Sequence, residues 1–287
     1  MSLRFTKFHG YGNDYLVLEA GAVVAEVTNL SRFARQICDR HYGAGADGIA
    51  IVDRSDTPDA DFRVRIFNPD GSEAALSGNG TRCAASYLYY RHLWTNPELR
   101  LILKSGVKLY ILRDEIAVGS YLFDSDLGAP RFESSAVPMI LDEQLPRVIG
   151  YPLSVNGESF KVTAMEMGNP HCAMFVDDFE ALDWRAIGKS IENHQLFPER
   201  ANVEFIRVLN RKRIEIRIWE RGVGETTASG TCSCAAAIAA MVNGFTERQL
   251  EVQTPGGTVN VRWQEDNHVV LTGIAGIVYQ GEWLGGD

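Results

Sequence analysis

Val64-Arg65-Ile66-Phe67-Asn68-Pro69-Asp70-Gly71-Ser72-Glu73-Ala74-Ala75-Leu76-Ser77-Gly78 is answered later in the chain by Ile216-Arg217-Ile218-Trp219-Glu220-Arg221-Gly222-Val223-Gly224-Glu225-Thr226-Thr227-Ala228-Ser229-Gly230. Phe67 and Trp219, Glu73 and Glu225, Ser77 and Ser229, and Gly78 and Gly230 each stand 152 positions apart. The register holds through the loop as well as the strand, so the chain reads as two similar halves. Each copy opens with period-two alternation, Val64 and Ile66 against Arg63 and Arg65, then Ile214, Ile216 and Ile218 against Arg213, Glu215 and Arg217. That is the pattern of a sheet with one buried face.

A polar, glycine-containing loop follows in both copies, then Ser-Gly, then a helical pattern. Ala84, Tyr87 and Leu88 share one helical face in the first copy; Cys234, Ala235, Ile238, Ala239 and Val242 do so in the second, with Gly244 as a stop. A looser echo precedes each unit: Gly12-Asn13-Asp14 and Gly168-Asn169-Pro170 lie 156 positions apart, so a short insertion or deletion separates the halves. Periodicity disappears between Asp124 and Pro138, which places the boundary there. The expected domains are 1–123 with about 276–287, and 124–275.

With 287 residues, 45% of them hydrophobic and 23% charged, the chain can bury a sizeable core. No apolar run approaches the ~18 residues of a membrane span. The opening residues lack the apolar core of a secretory signal, so a cytoplasmic location is expected. The net charge of −9 argues against a nucleic-acid surface and for a small-molecule partner. Five cysteines are too few for a disulfide scaffold, and reduced thiols are expected.

Other motifs fail on context. Gly43-Ala44-Gly45-Ala46-Asp47-Gly48 matches a dinucleotide fingerprint in letters, but a helix over Leu30 to Arg40 precedes it and a strand over Ile49 to Val52 follows, the reverse of the required order. Gly188-Lys189-Ser190 lacks the first glycine of a phosphate loop. Cys232, Cys234, His171 and Cys172 lack paired ligands at zinc-site spacing, so no metal is expected. Neither Ser77 nor Ser229 sits in a Gly-x-Ser-x-Gly elbow.

A helix N-terminus offers unpaired N–H groups and the positive end of the helix dipole, and Gly78-Asn79-Gly80 and Gly230-Thr231 would each open such a helix. Two such ends facing one carboxylate would bring Ser77 and Ser229 to opposite sides of the neighbouring carbon, an arrangement suited to inversion. The plainer role is helix capping, which serine fills for about 1 kcal/mol. The two roles are compatible.

Phe5 to Tyr15, Phe67 to Glu73, Ser77 to Cys83, Met167 to Cys172, Phe197 to Asn202, Glu220 to Thr226 and Pro255-Gly256-Gly257 together resemble the diaminopimelate epimerase family, in family order. The resemblance implies an α/β (α+β) fold of two pseudo-symmetric domains, each an antiparallel sheet wrapped around a central helix, with the active site in the interdomain cleft. It implies a cofactor-independent isomerase that interconverts LL- and meso-diaminopimelate in lysine and cell-wall precursor synthesis by a two-base mechanism. The expected partner is a small diamino dicarboxylic acid, with no nucleic acid and no membrane; a homodimer stays open. Carried over, Asn13, Asn68, Asn202 and Arg221 recognise the distal amino-acid end, Gly78, Asn79, Gly230 and Thr231 hold the reacting carboxylate, Asn169 completes the substrate-binding set, and His171 and Glu220 flank the catalytic pair.

The family's catalytic pair is two cysteines, and here Ser77 and Ser229 stand in their places. Gly48 departs from a frequent Gln and Cys232 from the usual Gly. A thiol at a helix N-terminus can ionise near neutral pH, whereas a serine hydroxyl stays protonated. Loss of one positioned acid or base costs a factor of about 10² to 10⁴. The residues therefore leave two alternatives open: a related isomerase or dehydratase acting on another amino or hydroxy acid, and a non-catalytic amino-acid-binding protein.

Overall fold

The computed structural model describes residues Ser2–Gly285. The chain divides into two compact units, one running to Ser125 and resuming at Gly273, the other spanning Asp126–Thr272. The first contains β1 (Leu3–Gly10), β2 (Asn13–Glu19), α1 (Ala20–Glu26), α2 (Leu30–Cys38), β3 (Gly48–Arg54), β4 (Phe62–Phe67), β5 (Glu73–Ala74), α3 (Gly78–Tyr90), β6 (Glu98–Leu103), β7 (Gly106–Ala117) and most of β8 (Ser120–Asp126). The second contains β9 (Val148–Val155), β10 (Glu158–Glu166), β11 (Pro170–Phe175), α4 (Trp184–Glu192), β12 (Asn202–Asn210), β13 (Arg213–Glu220), β14 (Gly224–Thr226), α5 (Gly230–Val242), β15 (Gln249–Thr254), β16 (Gly257–Trp263) and the start of β17 (Val269–Trp283).

The two ladders follow one plan. In the first unit β1–β2, β3–β4, β6–β7 and β7–β8 are antiparallel. In the second, β10–β11, β12–β13, β15–β16 and β16–β17 are. Parallel pairs occur where a helix intervenes, at β2–β3 and β4–β6 and again at β11–β12 and β13–β15, because a crossover returns the chain in its original direction. The predominantly antiparallel sheets are thus refined by two crossovers per half. β1 and β2 are joined by Tyr11-Gly12, both at positive φ (57° and 88°), the two-residue hairpin geometry that glycine makes accessible.

The sequence pattern predicts one apolar stripe on the helix after each Ser-Gly. Instead α3 is buried continuously from Asn79 to Tyr89 and α5 from Cys232 to Met241. Each helix runs against its own unit's strands, α3 against β1 to β4 and α5 against β10 to β13, β15 and β16, so every face meets protein. The run of Gly, Ala, Cys and Ser on these helices permits that close approach. Around α3, Phe8, Val17, Val64, Ile66, Leu88, Leu99 and Phe123 form one core cluster, where truncating a residue such as Leu88 to alanine costs about 2–5 kcal/mol. α2 ends at Cys38, and the Gly43–Gly48 stretch folds back onto it through Gly45 N–H to Ile37 O and Ala46 N–H to Cys38 O before β3 begins. This is a helix-to-strand turn. Gly188-Lys189-Ser190 lies inside α4.

Candidate active site

Ser77 and Ser229 occupy the N-cap positions of two 13-residue helices, α3 and α5. Both have extended backbone, and in both helices the hydroxyl four residues on bonds back to the serine carbonyl: Thr81 to Ser77 O at 2.6 Å, Ser233 to Ser229 O at 2.8 Å. A Cβ added to Gly78 would meet nothing within 4 Å, and one added to Gly230 would meet only Leu271, at 3.7 Å. Backbone N–H groups at both helix starts are therefore approachable, as an anion requires.

The hydroxyls differ in what they hold. Ser77 Oγ accepts from Gly80 N–H at 3.1 Å and lies 2.8 Å from the Tyr15 hydroxyl. Tyr15 reaches it by packing over Gly80, where a Cβ would stand 2.8 Å from the ring. Beside it, Arg82 donates to Asn79 Oδ1, Asn79 Nδ2 to Asn13 Oδ1, and Asn13 Nδ2 to Asp47 Oδ2. Asp47 is held by Arg40, which also pairs with Asp14, itself paired with Lys7 at 2.7 Å. Burial would raise the Asp14 carboxyl, but hydrogen bonds from Arg40 and Lys7 more than offset it and hold it below its ordinary value. Asn13 and Asn79 are thereby fixed in place by charges set behind them.

Ser229 makes no cap bond. The Cys232 thiol lies against both Ser229 and Glu204; burial pushes it well up, Glu204 and Glu220 push it further, and Ser229 opposes them. His171 Nδ1 meets Glu204 Oε1 at 2.6 Å with both side chains fully buried. One donor atom each of His171, Glu204 and Cys232 fall within 4.8 Å of one another. Glu220 joins the same group of charges: burial raises its carboxyl, with Thr226 and His171 opposing and Glu204 adding.

The other expected substrate residues fall into two kinds. Asn202 is buried and fully engaged, its Nδ2 donating to Pro170 O and its Oδ1 accepting from Arg221 N–H, so it shapes the Arg221 turn. Glu192 shares that task, accepting from Gly222 N–H and Trp219 Nε1 at 2.8 Å each. The Arg221 guanidinium donates to Glu199 O and forms no ion pair among the described residues. Among the described residues the Asn68 side chain bonds only within its own turn, to Ser72. Asn169 Oδ1 is buried with no partner among the described residues. Thr231 follows Gly230 on the half-buried first turn of α5.

Sequence reasoning missed Tyr15, Arg82, Asp47, Glu192 and Glu204. Tyr15 had a signal, since it follows the Gly12-Asn13 echo as His171 follows Gly168-Asn169. Glu204 had one too, as an acid inside the otherwise apolar run Val203, Phe205 and Ile206. The five cysteines are all buried and free of disulfides.

The diaminopimelate epimerase family model matches residues 5–130 and 163–278. The diaminopimelate epimerase of Pelotomaculum thermopropionicum is 43% identical over 98% of this chain and 99% of its own length. That of Pseudomonas savastanoi is 40% identical over the same shares. Among solved structures, a PhzF-family phenazine biosynthesis protein from Bacillus anthracis superposes with a TM-score of 0.66 at 19% identity, covering 99% of this chain and 100% of that one. A probable proline racemase from Agrobacterium radiobacter gives a TM-score of 0.66 at 13% identity, over 99% and 93%. Both share the fold.

Proposed function

The chain belongs to the diaminopimelate epimerase family, and from that premise we propose that it interconverts LL- and meso-diaminopimelate without a cofactor, a step of lysine and cell-wall precursor synthesis in the cytoplasm. The observation that carries this reading is the pair of Ser-Gly helix starts, built alike in two halves, each an approachable N-terminus with a hydroxyl at its cap. Epimerisation needs a carboxylate held firmly enough to acidify the α-hydrogen, and a group on each face of the α-carbon. The reading requires both helix starts to reach one ligand.

Gly78, Asn79, Gly230 and Thr231 would hold the reacting carboxylate through first-turn N–H groups. The Arg221 guanidinium, bonded to the Glu199 carbonyl, keeps donors for the distal carboxylate, where its planar fork gives a bidentate grip. Neither serine hydroxyl ionises near neutral pH, so each works with its neighbours: Tyr15 beside Ser77, and His171, Glu220 and Cys232 around Ser229. The test is to incubate the unsubstituted chain with LL-diaminopimelate and resolve the stereoisomers. Appearance of the meso form supports the reading. Tight binding without conversion would favour an amino-acid binder, and no binding at all would point to another acid as substrate.

A further inference from the structure

Glu204 is an unusual residue for its place. It is fully buried on β12, directly opposite Ile218 of β13, and the equivalent position in the other half, opposite Ile66, is Ala50. Burying a carboxylate costs several kcal/mol unless it is partnered, so a fold that accepts alanine there has no structural need of an acid. The partner Glu204 has is His171, at 2.6 Å. An ionised Glu204 can only accept, which makes Nδ1 of His171 the donor. Which imidazole nitrogen carries the proton is set by the bond the other makes. Nε2 is buried and has no hydrogen-bond partner among the described residues.

We propose that Glu204 is a positioning residue that locks His171 in its Nδ1–H tautomer and so leaves the Nε2 lone pair free to accept a proton or hydrogen bond at the site. Three ionisable groups face His171 from three elements: Glu204 on β12, Glu220 on β13 and Cys232 on α5. Of these, Glu204 is the one bonded to the ring. The catalytic value of the lock rests on the epimerase reading; the lock itself does not.

The two are separated by reading the tautomer directly. In the full-length chain with 15N-labelled histidine, two-bond proton–nitrogen spectra, assigned by the signal lost in His171→Gln, should show Nδ1 protonated and Nε2 bare near neutral pH. A proton on Nε2, alone or as imidazolium, would overturn the proposal and leave the epimerase reading standing. Glu204→Ala, which copies the other half, should release the lock and mix the tautomers; an unchanged tautomer in this folded variant would also overturn it. If the enzyme turns over diaminopimelate, the near-isosteric Glu204→Gln should lower kcat about 10- to 100-fold with little change in KM. An unchanged kcat in that variant counts against the proposal. The expected tautomer in a chain that neither binds nor converts diaminopimelate would support the lock and contradict the epimerase reading.

Discussion

In the Ser77 half the fold sets Tyr15, Gly80 and Ala50 where the Ser229 half has His171, Cys232 and Glu204 at the same backbone positions. The equivalence is one of register. Tyr15 stands opposite Gly48 as His171 stands opposite Asn202, Ala50 is opposite Ile66 as Glu204 is opposite Ile218, and Gly80 and Cys232 each lie three residues past their serine. In the first half a phenol slides over a glycine and bonds the hydroxyl directly. In the second, a thiol fills the glycine's place, and an imidazole and carboxylate stand where the other half has a ring and a methyl. Duplication kept the helix start and let the chemistry around it diverge. One helix start is held by a cap and a phenol while the other gathers ionisable side chains.

The largest effect expected is on rate. Ser77→Cys with Ser229→Cys should raise epimerisation by several orders of magnitude, in keeping with about 10² to 10⁴ per acid–base group, in an assay of LL- to meso-diaminopimelate under reducing conditions. Each single substitution should fall well short, because inversion needs both faces. The comparison sharpens if the thiols are titrated by alkylation rate: a cysteine at 77 should ionise at lower pH than one at 229, which would face Glu204 and Glu220. Equal values would erase the electrostatic difference between the two ends.

Stability effects come next. Asp14→Asn leaves the buried Lys7 ammonium with the Gly45 carbonyl in place of a carboxylate, while Arg40 keeps Asp47, and should cost about 1–3 kcal/mol in urea unfolding. Because the Asp14 carboxyl is held below 3.8, its contribution is present above that pH and is lost as pH falls through the folded value. Gly80→Ala, which pushes a methyl into the Tyr15 ring, should cost about 1–3 kcal/mol and loosen the hold on Ser77. Cys232→Ala at the sister position meets no such clash and should cost less.

The smallest effect is a matter of pH. Burial raises the Glu220 carboxyl above 4.5, so the fold favours its neutral form; that advantage is complete below 4.5 and is lost as pH rises through the folded value. Glu220→Gln, neutral at every pH, should match the parent's stability below 4.5 and exceed it increasingly above. A stability difference independent of pH would mean that the half-buried carboxyl is not strained by its surroundings.

The fold was legible because the repeat is local and periodic: alternating Ile and Arg mark β4 and β13, and Ser-Gly marks the starts of α3 and α5. The close approach of the sheet to every face of those helices was not, since a stripe of Ala, Tyr and Leu looks the same whether or not small residues opposite it are also covered. Ser77 could be read as a cap and is one. Ser229 has the same letters and makes no cap bond; the buried Cys232 thiol lies against it where the other half has Gly80. The meeting of His171 with Glu204 depends on parallel pairing of β11 and β12 across α4, a contact 33 residues apart that no spacing rule encodes.

We propose that the Ser77 and Ser229 ends serve opposite faces of one α-carbon. The most direct test is turnover of protiated LL-diaminopimelate in heavy water, sampled early. Two groups on two faces should place deuterium at the α-carbon of the meso product while the recovered LL substrate stays protiated. Deuterium entering the recovered substrate as fast as the product would mean that one group works on both faces, and would contradict the account.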